Sequence, residues 1–110
     1  MIDWDRVSVL RQEVGEDDFG EVIELFLEEV EGTIARLRQN PAADTLEEEL
    51  HFLKGSALNL GFRQLASHCQ FGEALASQGQ SDEIELPEIL ECYARSKAEF
   101  LGELLKALAD

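Results

Sequence analysis

The chain has 110 residues, 45% of them apolar, and a formal charge of −15 from 24 acids against 9 bases. That length and apolar share suit one domain with its own core and weigh against disorder. The negative charge sets nucleic acid and anionic membrane aside as partners.

Apolar residues recur at helical spacing along nearly the whole chain, with no period-two alternation. A short first helix is expected over 3–13, with Val7, Leu10 and Val14 inward. A second should begin near Asp18, where Asp18-x-x-Glu21 has the form of a capping box. Its stripe of Phe19, Val22, Ile23, Phe26, Val30, Ile34 and Leu37 runs to about residue 39. NPAAD breaks the chain, and Asp44-x-x-Glu47 opens a third helix that Gly61 ends as a left-handed terminal residue. A fourth helix is expected over 63–78, with Leu65, Cys69, Gly72 and Ala76 inward and Gly79 stopping it. QGQSDEIE is the longest polar loop. Pro87 then suits the first turn of a fifth helix, striped by Leu86, Ile89, Leu90, Tyr93, Phe100, Leu101, Leu104 and Leu108. Four long helices with short connections predict an all-α, antiparallel up-down-up-down four-helix bundle with a short N-terminal cap helix, one domain over residues 1–110.

No apolar run approaches the roughly 20 residues that span a bilayer, and MIDWDRVSVL lacks the pattern of a signal peptide. A cytoplasmic protein is the expectation, with Cys69 and Cys92 reduced and buried. A zinc site from His51, His68, Cys69 and Cys92 lacks ligand spacing such as CxxC, so no metal is expected. His68 has no evident partner and reads as structural or solvated.

HFLKGSALNLG, residues 51–61, carries the chemistry. On a wheel of 100° steps Leu46, Leu50, Leu53, Ala57 and Leu60 lie within about 40° of one direction, the core. His51 lies about 140° away, Gly55 about 180°, Leu58 about 120° and Lys54 about 80°. Gly55 should cost about 1 kcal/mol against alanine inside a helix, so an absent side chain has some use, whether close helix packing or outward clearance. An exposed histidine near neutral pH keeps one nucleophilic ring nitrogen. Lys54, one turn on, leans back toward it and suits an anion. Arg63 is the other base near this face. If the third and fourth helices reverse about residue 62, Glu73 comes level with His51. A carboxylate accepting from Nδ1–H would fix the tautomer and leave Nε2 free to attack.

These residues resemble the signature of histidine-containing phosphotransfer (HPt) domains, H-x-L-K-G-[SA]-[SA]-x-x-x-G, on which His51, Leu53, Lys54, Gly55, Ser56, Ala57 and Gly61 fall. The likeness extends to the "ID" opening, the acidic turn before Phe19 and the helix pattern. It implies a phosphorelay intermediate of two-component signalling, a phosphoprotein in which His51 becomes phosphohistidine. His51 would accept its phosphoryl group from a sensor histidine kinase or a receiver-domain aspartate and pass it to a response-regulator receiver domain. Lys54 would neutralise phosphoryl oxygens. Glu73, in the position 22 after the histidine where this family often has Gln or Glu, would bond the imidazole. Gly55 would leave room for the receiver to close over His51, and Leu58 would belong to the docking surface. Arg63 and Ser56 complete the expected binding set, Ser56 as a small packing residue rather than a phosphoacceptor. With no glycine-rich ATP loop the chain should be a phosphocarrier, not a self-phosphorylating enzyme. It would need no cofactor of its own, Mg2+ being expected on the partner receiver, and would act as a monomer. The competing readings are an acidic helical adaptor that binds a partner without carrying phosphate, and a metal-binding bundle.

Overall fold

The computed structural model describes residues 2–40 and 44–109, with side chains as far as Leu104. Among the described residues five α-helices follow in order: α1 (Trp4–Val14), α2 (Glu16–Gln39), α3 (Leu46–Leu60), α4 (Arg63–Ser77) and α5 (Leu86–Ala109), with a 3-10 turn at Ser81–Glu83 before α5. The chain is an all-α bundle. The middle of the NPAAD break and the side chain of Leu108 lie outside the described residues.

Local chemistry sets the helix ends. Asp3 caps α1 by accepting the Arg6 amide at 3.2 Å. Gly15, at φ 85, then makes so sharp a corner that α2 starts at once, at Glu16. The expected Asp18–Glu21 capping box therefore does not form. Asp18 sits inside the first turn with Glu16 and Asp17, where their charges face the positive helix end. The start of α3 also shifts: Thr45, not Asp44, stands at its cap without a side-chain bond, and Leu46 enters the core as the first helical residue. Burial of Leu46 outweighs the local cap motif. Pro87 lies in the first turn of α5, as its missing N–H favours.

The α3–α4 turn is the tightest point of the fold. Gly61 is left-handed at φ 80, its amide donates to Leu58 O, and the Phe62 amide donates to Ala57 O at 2.8 Å. That is the paired bonding of a Schellman motif. The N-terminus is strapped across it. The Asp3 amide donates to Gly61 O at 2.7 Å, Ile2 forms a single antiparallel bridge with Phe62, and Arg6 Nε donates to Asn59 O.

Leu50, Leu53, Ala57, Leu60, Phe62, Leu65, Cys69 and Phe100 are fully buried. Phe100 meets Phe62 edge-on at 5.5 Å between centroids and stacks on Trp4 at 5.8 Å, so α1, the α3–α4 turn and α5 close one end of the bundle. The tight turn at Gly61 brings α4 back beside α3, where Leu50 meets Gly72 and His51 meets Glu73, while Gly72 also lies near Ile89 and Phe62 meets Phe100. Cys69 and Cys92 are free and buried, and burial pushes the Cys69 thiol up to about 12, which keeps it inert. Among the described residues no helix is long and apolar enough to cross a membrane.

Candidate functional site

Two packed helices build the site from opposite sides of one groove. Leu50 and Leu53 anchor α3 in the core, which turns His51 outward with its side chain 68% exposed. On α4, Cys69 and Gly72 face inward and hold Glu73 at the α3 edge. Gly72 sets the spacing: a Cβ there would stand 3.1 Å from Leu50 Cδ1, so its absence lets the helices approach beside His51 and Glu73.

The Glu73 carboxylate is shared. His51 Nδ1 lies 2.6 Å from Oε2, and Lys54 Nζ donates to Oε1 at 2.7 Å. The Lys54 hydrogen bond holds the Glu73 carboxyl below its usual range, with the His51 bond in support and partial burial opposing. An ionised carboxylate only accepts, so the network assigns the proton to Nδ1, and the His51 N–H donates. No described residue bonds Nε2, which stands at an exposed face as a free lone pair.

Gly55, one turn beyond His51, is exposed, and a Cβ built on it meets nothing within 4 Å. Close helix packing is therefore not its use. Leu58 is 55% exposed on the same side. Lys54 is half-buried and its ammonium ends on Glu73 instead of standing over the imidazole. Arg63 is not brought to this cluster. It lies at the start of α4, ten residues or about 15 Å of helix from Glu73, and pairs with Asp3 Oδ2 at 3.3 Å. Ser56 is buried on the opposite flank of α3, as a packing residue. His68 sits apart, in a shallow cleft with Phe71, Ile84, Glu85 and Glu88. The four side chains of the zinc alternative do not converge: among the described residues no three His, Cys, Asp or Glu side chains are grouped to hold a metal.

The sequence reading passed over an exposed aromatic next to the histidine. Phe52, beside His51, is 45% exposed. The same wheel places it about 120° from the core direction, on the side away from Lys54, which was signal enough.

The class that emerges is a helical bundle presenting an oriented imidazole on an open face. The family model of the Hpt domain matches residues 21–110, and the chain belongs to that family. Its members serve histidine phosphotransfer in two-component signalling, as phosphocarriers rather than classical enzymes, and work with receiver domains and kinases. The match begins inside α2 and leaves α1 before it, although α1 is bonded to the α3–α4 turn. Comparison with curated proteins and with solved structures found no match.

Proposed function

We propose that this protein is a phosphorelay intermediate in which His51 is the residue phosphorylated. The observation that carries the proposal is the carboxylate of Glu73, bonded at once to His51 Nδ1 and to Lys54 on an exposed face. With Nδ1–H donated to Glu73, the lone pair of Nε2 attacks the phosphorus of an aspartyl phosphate as the donor carboxylate leaves. The same atoms run the reaction onward to a second receiver. Both phosphohistidine and acyl phosphate are high-energy species, so direction follows from the partners.

Gly55 leaves a gap in the helix surface through which a receiver's active site can reach His51, and Leu58 with Phe52 offers apolar docking area beside it. The Mg2+ such transfer requires is expected on the receiver, and the chain is taken to act as a single cytoplasmic domain and a monomer, without an ATP site. The excess of acids disfavours nucleic acid and anionic lipid.

The test is intact-mass analysis after incubation with phosphorylated receiver domains, comparing wild type with His51→Gln. One acid-labile, base-stable phosphoryl group that is absent from the variant is the expected result. No labelling by any receiver or histidine kinase, with partner binding intact, would replace the relay by the adaptor reading.

A further inference from the structure

A cleft between α4 and α5 lies on the flank of α4 turned away from His51. Phe71 precedes Glu73 by two residues, about 200° of helix, so it points away from the α3 groove that Glu73 faces. It is 69% exposed, more than Leu58 or Phe52, and borders a hollow lined also by His68, Ile84, Glu85, Glu88 and Ile89. Ile89 is buried and Ile84 half-buried, and together they floor the hollow, while Glu85 and Glu88 stand exposed at its rim. A single apolar side chain in water is ordinary. An exposed aromatic beside an apolar hollow is a different matter, because a partner's side chain gains contact on two sides there.

Size decides the kind of occupant. The hollow has a volume of about 50 Å3. Small-molecule sites run to roughly 300–1,000 Å3 and enclose most of the ligand. This open hollow instead seats the end of one aliphatic side chain that projects from a larger molecule. Charge decides the rest. Glu85 and Glu88 stand three positions apart around the first turn of α5 and make no described hydrogen bond or ion pair through their side chains. Among the bases with described side chains, all but Arg38 are paired with acids of the chain itself, so cations for this rim come from outside. A second copy would bring more acid to the rim, at −15 per chain, and phosphate backbones and anionic lipid are repelled for the same reason. A protein segment with Lys or Arg on both sides of an aliphatic residue complements hollow and rim together.

We infer that the α4–α5 cleft is a docking surface separate from the His51 face and is taken by a basic protein segment. An aliphatic side chain of that segment sits between Phe71 and Ile84, and its flanking Lys or Arg side chains pair with Glu85 and Glu88. Because α4 stands between the cleft and the imidazole, the segment leaves His51 open. A partner held here stays tethered while another molecule meets the histidine, and its docking does not depend on the chemistry of His51.

The experiment titrates the full chain with fluorescein-labelled peptides Gly-Lys-Arg-X-Arg-Lys-Gly, in which X is Leu, Ile, Met or Ala, at about 50 mM salt, where screening is weak. Anisotropy gives the affinity, and amide shifts in 1H–15N spectra locate the peptide. The Leu, Ile and Met peptides should move the amides of Phe71, Ile84, Glu85 and Glu88 and leave those of His51 and Phe52 in place. Alanine at X, Phe71→Ala, and a Glu85→Gln, Glu88→Gln double variant should each weaken binding about tenfold, whereas His51→Gln should bind as wild type does. Phe71 is exposed, and thermal melts check that its removal leaves the fold intact. Shifts spread over the acidic faces of α2 and α3, with affinity unmoved by Phe71→Ala, would mean unspecific attraction of charge and overturn the docking site. Absence of binding by all three apolar peptides would overturn it too. Self-association that grows with concentration and disappears in Phe71→Ala would give the cleft to a second copy and overturn the basic partner.

Discussion

Gly55→Ala should make the protein more stable and poorer at transfer. The residue lies in the middle of α3, and a Cβ placed on it meets no atom within 4 Å. Nothing in the free protein opposes the methyl group. Exchanging a mid-helix glycine for alanine removes freedom from the unfolded chain and is worth about 0.5–1 kcal/mol. In a chain of this size that gain raises the thermal midpoint by roughly 2–4 °C. The same methyl group projects from the exposed face one turn beyond His51, where the proposed relay would bring a receiver aspartate within bonding distance of Nε2. Loss of a close approach worth about 1.4 kcal/mol slows transfer tenfold under subsaturating conditions. Gly102→Ala is the matched control, since its Cβ is equally unopposed and its position on α5 is remote from His51. Thermal melts by circular dichroism and initial transfer rates from a phosphorylated receiver separate the two effects. Gly102→Ala should gain stability alone. A stabilised Gly55→Ala that transfers at the wild-type rate would refute the clearance role, and the absence of any gain in midpoint would refute the open helix position.

Gly72→Ala is the opposite case: its methyl would press on Leu50 Cδ1 at 3.1 Å, so the helical gain is cancelled by overpacking of about 1–3 kcal/mol. Urea melts should show little gain or a net loss, with transfer slowed because His51 and Glu73 move apart. Gly61→Ala forces a side chain into φ 80 with its Cβ 2.7 Å from Asp3 O, and should lose about 2 kcal/mol or more in the same melts. Leu53→Ala empties a fully buried position and should cost about 2–5 kcal/mol without changing the site's own bonds. Acid should loosen the bundle at two named places. Glu73 is held below its usual 4.5 first by Lys54, and Glu31 first by Lys97 and then by the Tyr93 hydroxyl. A carboxylate lowered on folding adds stability that is fully present above that usual value and lost as pH falls through the lower folded one. The urea midpoint should therefore drop below pH 4.5, and less steeply in a Glu31→Gln, Glu73→Gln double variant.

The helices and the site's register were legible in the sequence for the same reason: each follows from local rules. The 3.6-residue period gives the helices, and Gly61 marks the end of α3 because only the left-handed region continues the chain there. Once the turn is placed, Glu73 must fall level with His51. What the sequence hid depends on contacts between distant residues. The starts of α2 and α3 obey the Gly15 corner and the burial of Leu46, and these override capping patterns that are correct in isolation. Arg63 looked like a base near the site because its partner Asp3 lies sixty residues earlier, on a strap that no local pattern announces. The bond from Lys54 to Glu73 was likewise hidden, because that carboxylate comes from the neighbouring helix.

Helix breakers thereby acquire two separate roles within one hairpin. Gly72 removes a side chain from the inside of α4, and the closeness it allows to Leu50 is what brings the next residues on each helix, His51 and Glu73, to 2.6 Å. Gly55 removes a side chain from the outside of α3, where nothing in the chain itself would have filled the space. An inner glycine explained by a contact and an outer one explained by none differ in what they serve. The first brings the imidazole to its carboxylate, and the second fits the proposed approach of a partner from solvent. The Schellman turn and the N-terminal strap join the two roles, because they fix the α3–α4 register from the far end of the hairpin. Loss of the strap should therefore be felt at His51 through the alignment of Glu73, although neither Asp3 nor Arg6 touches the site.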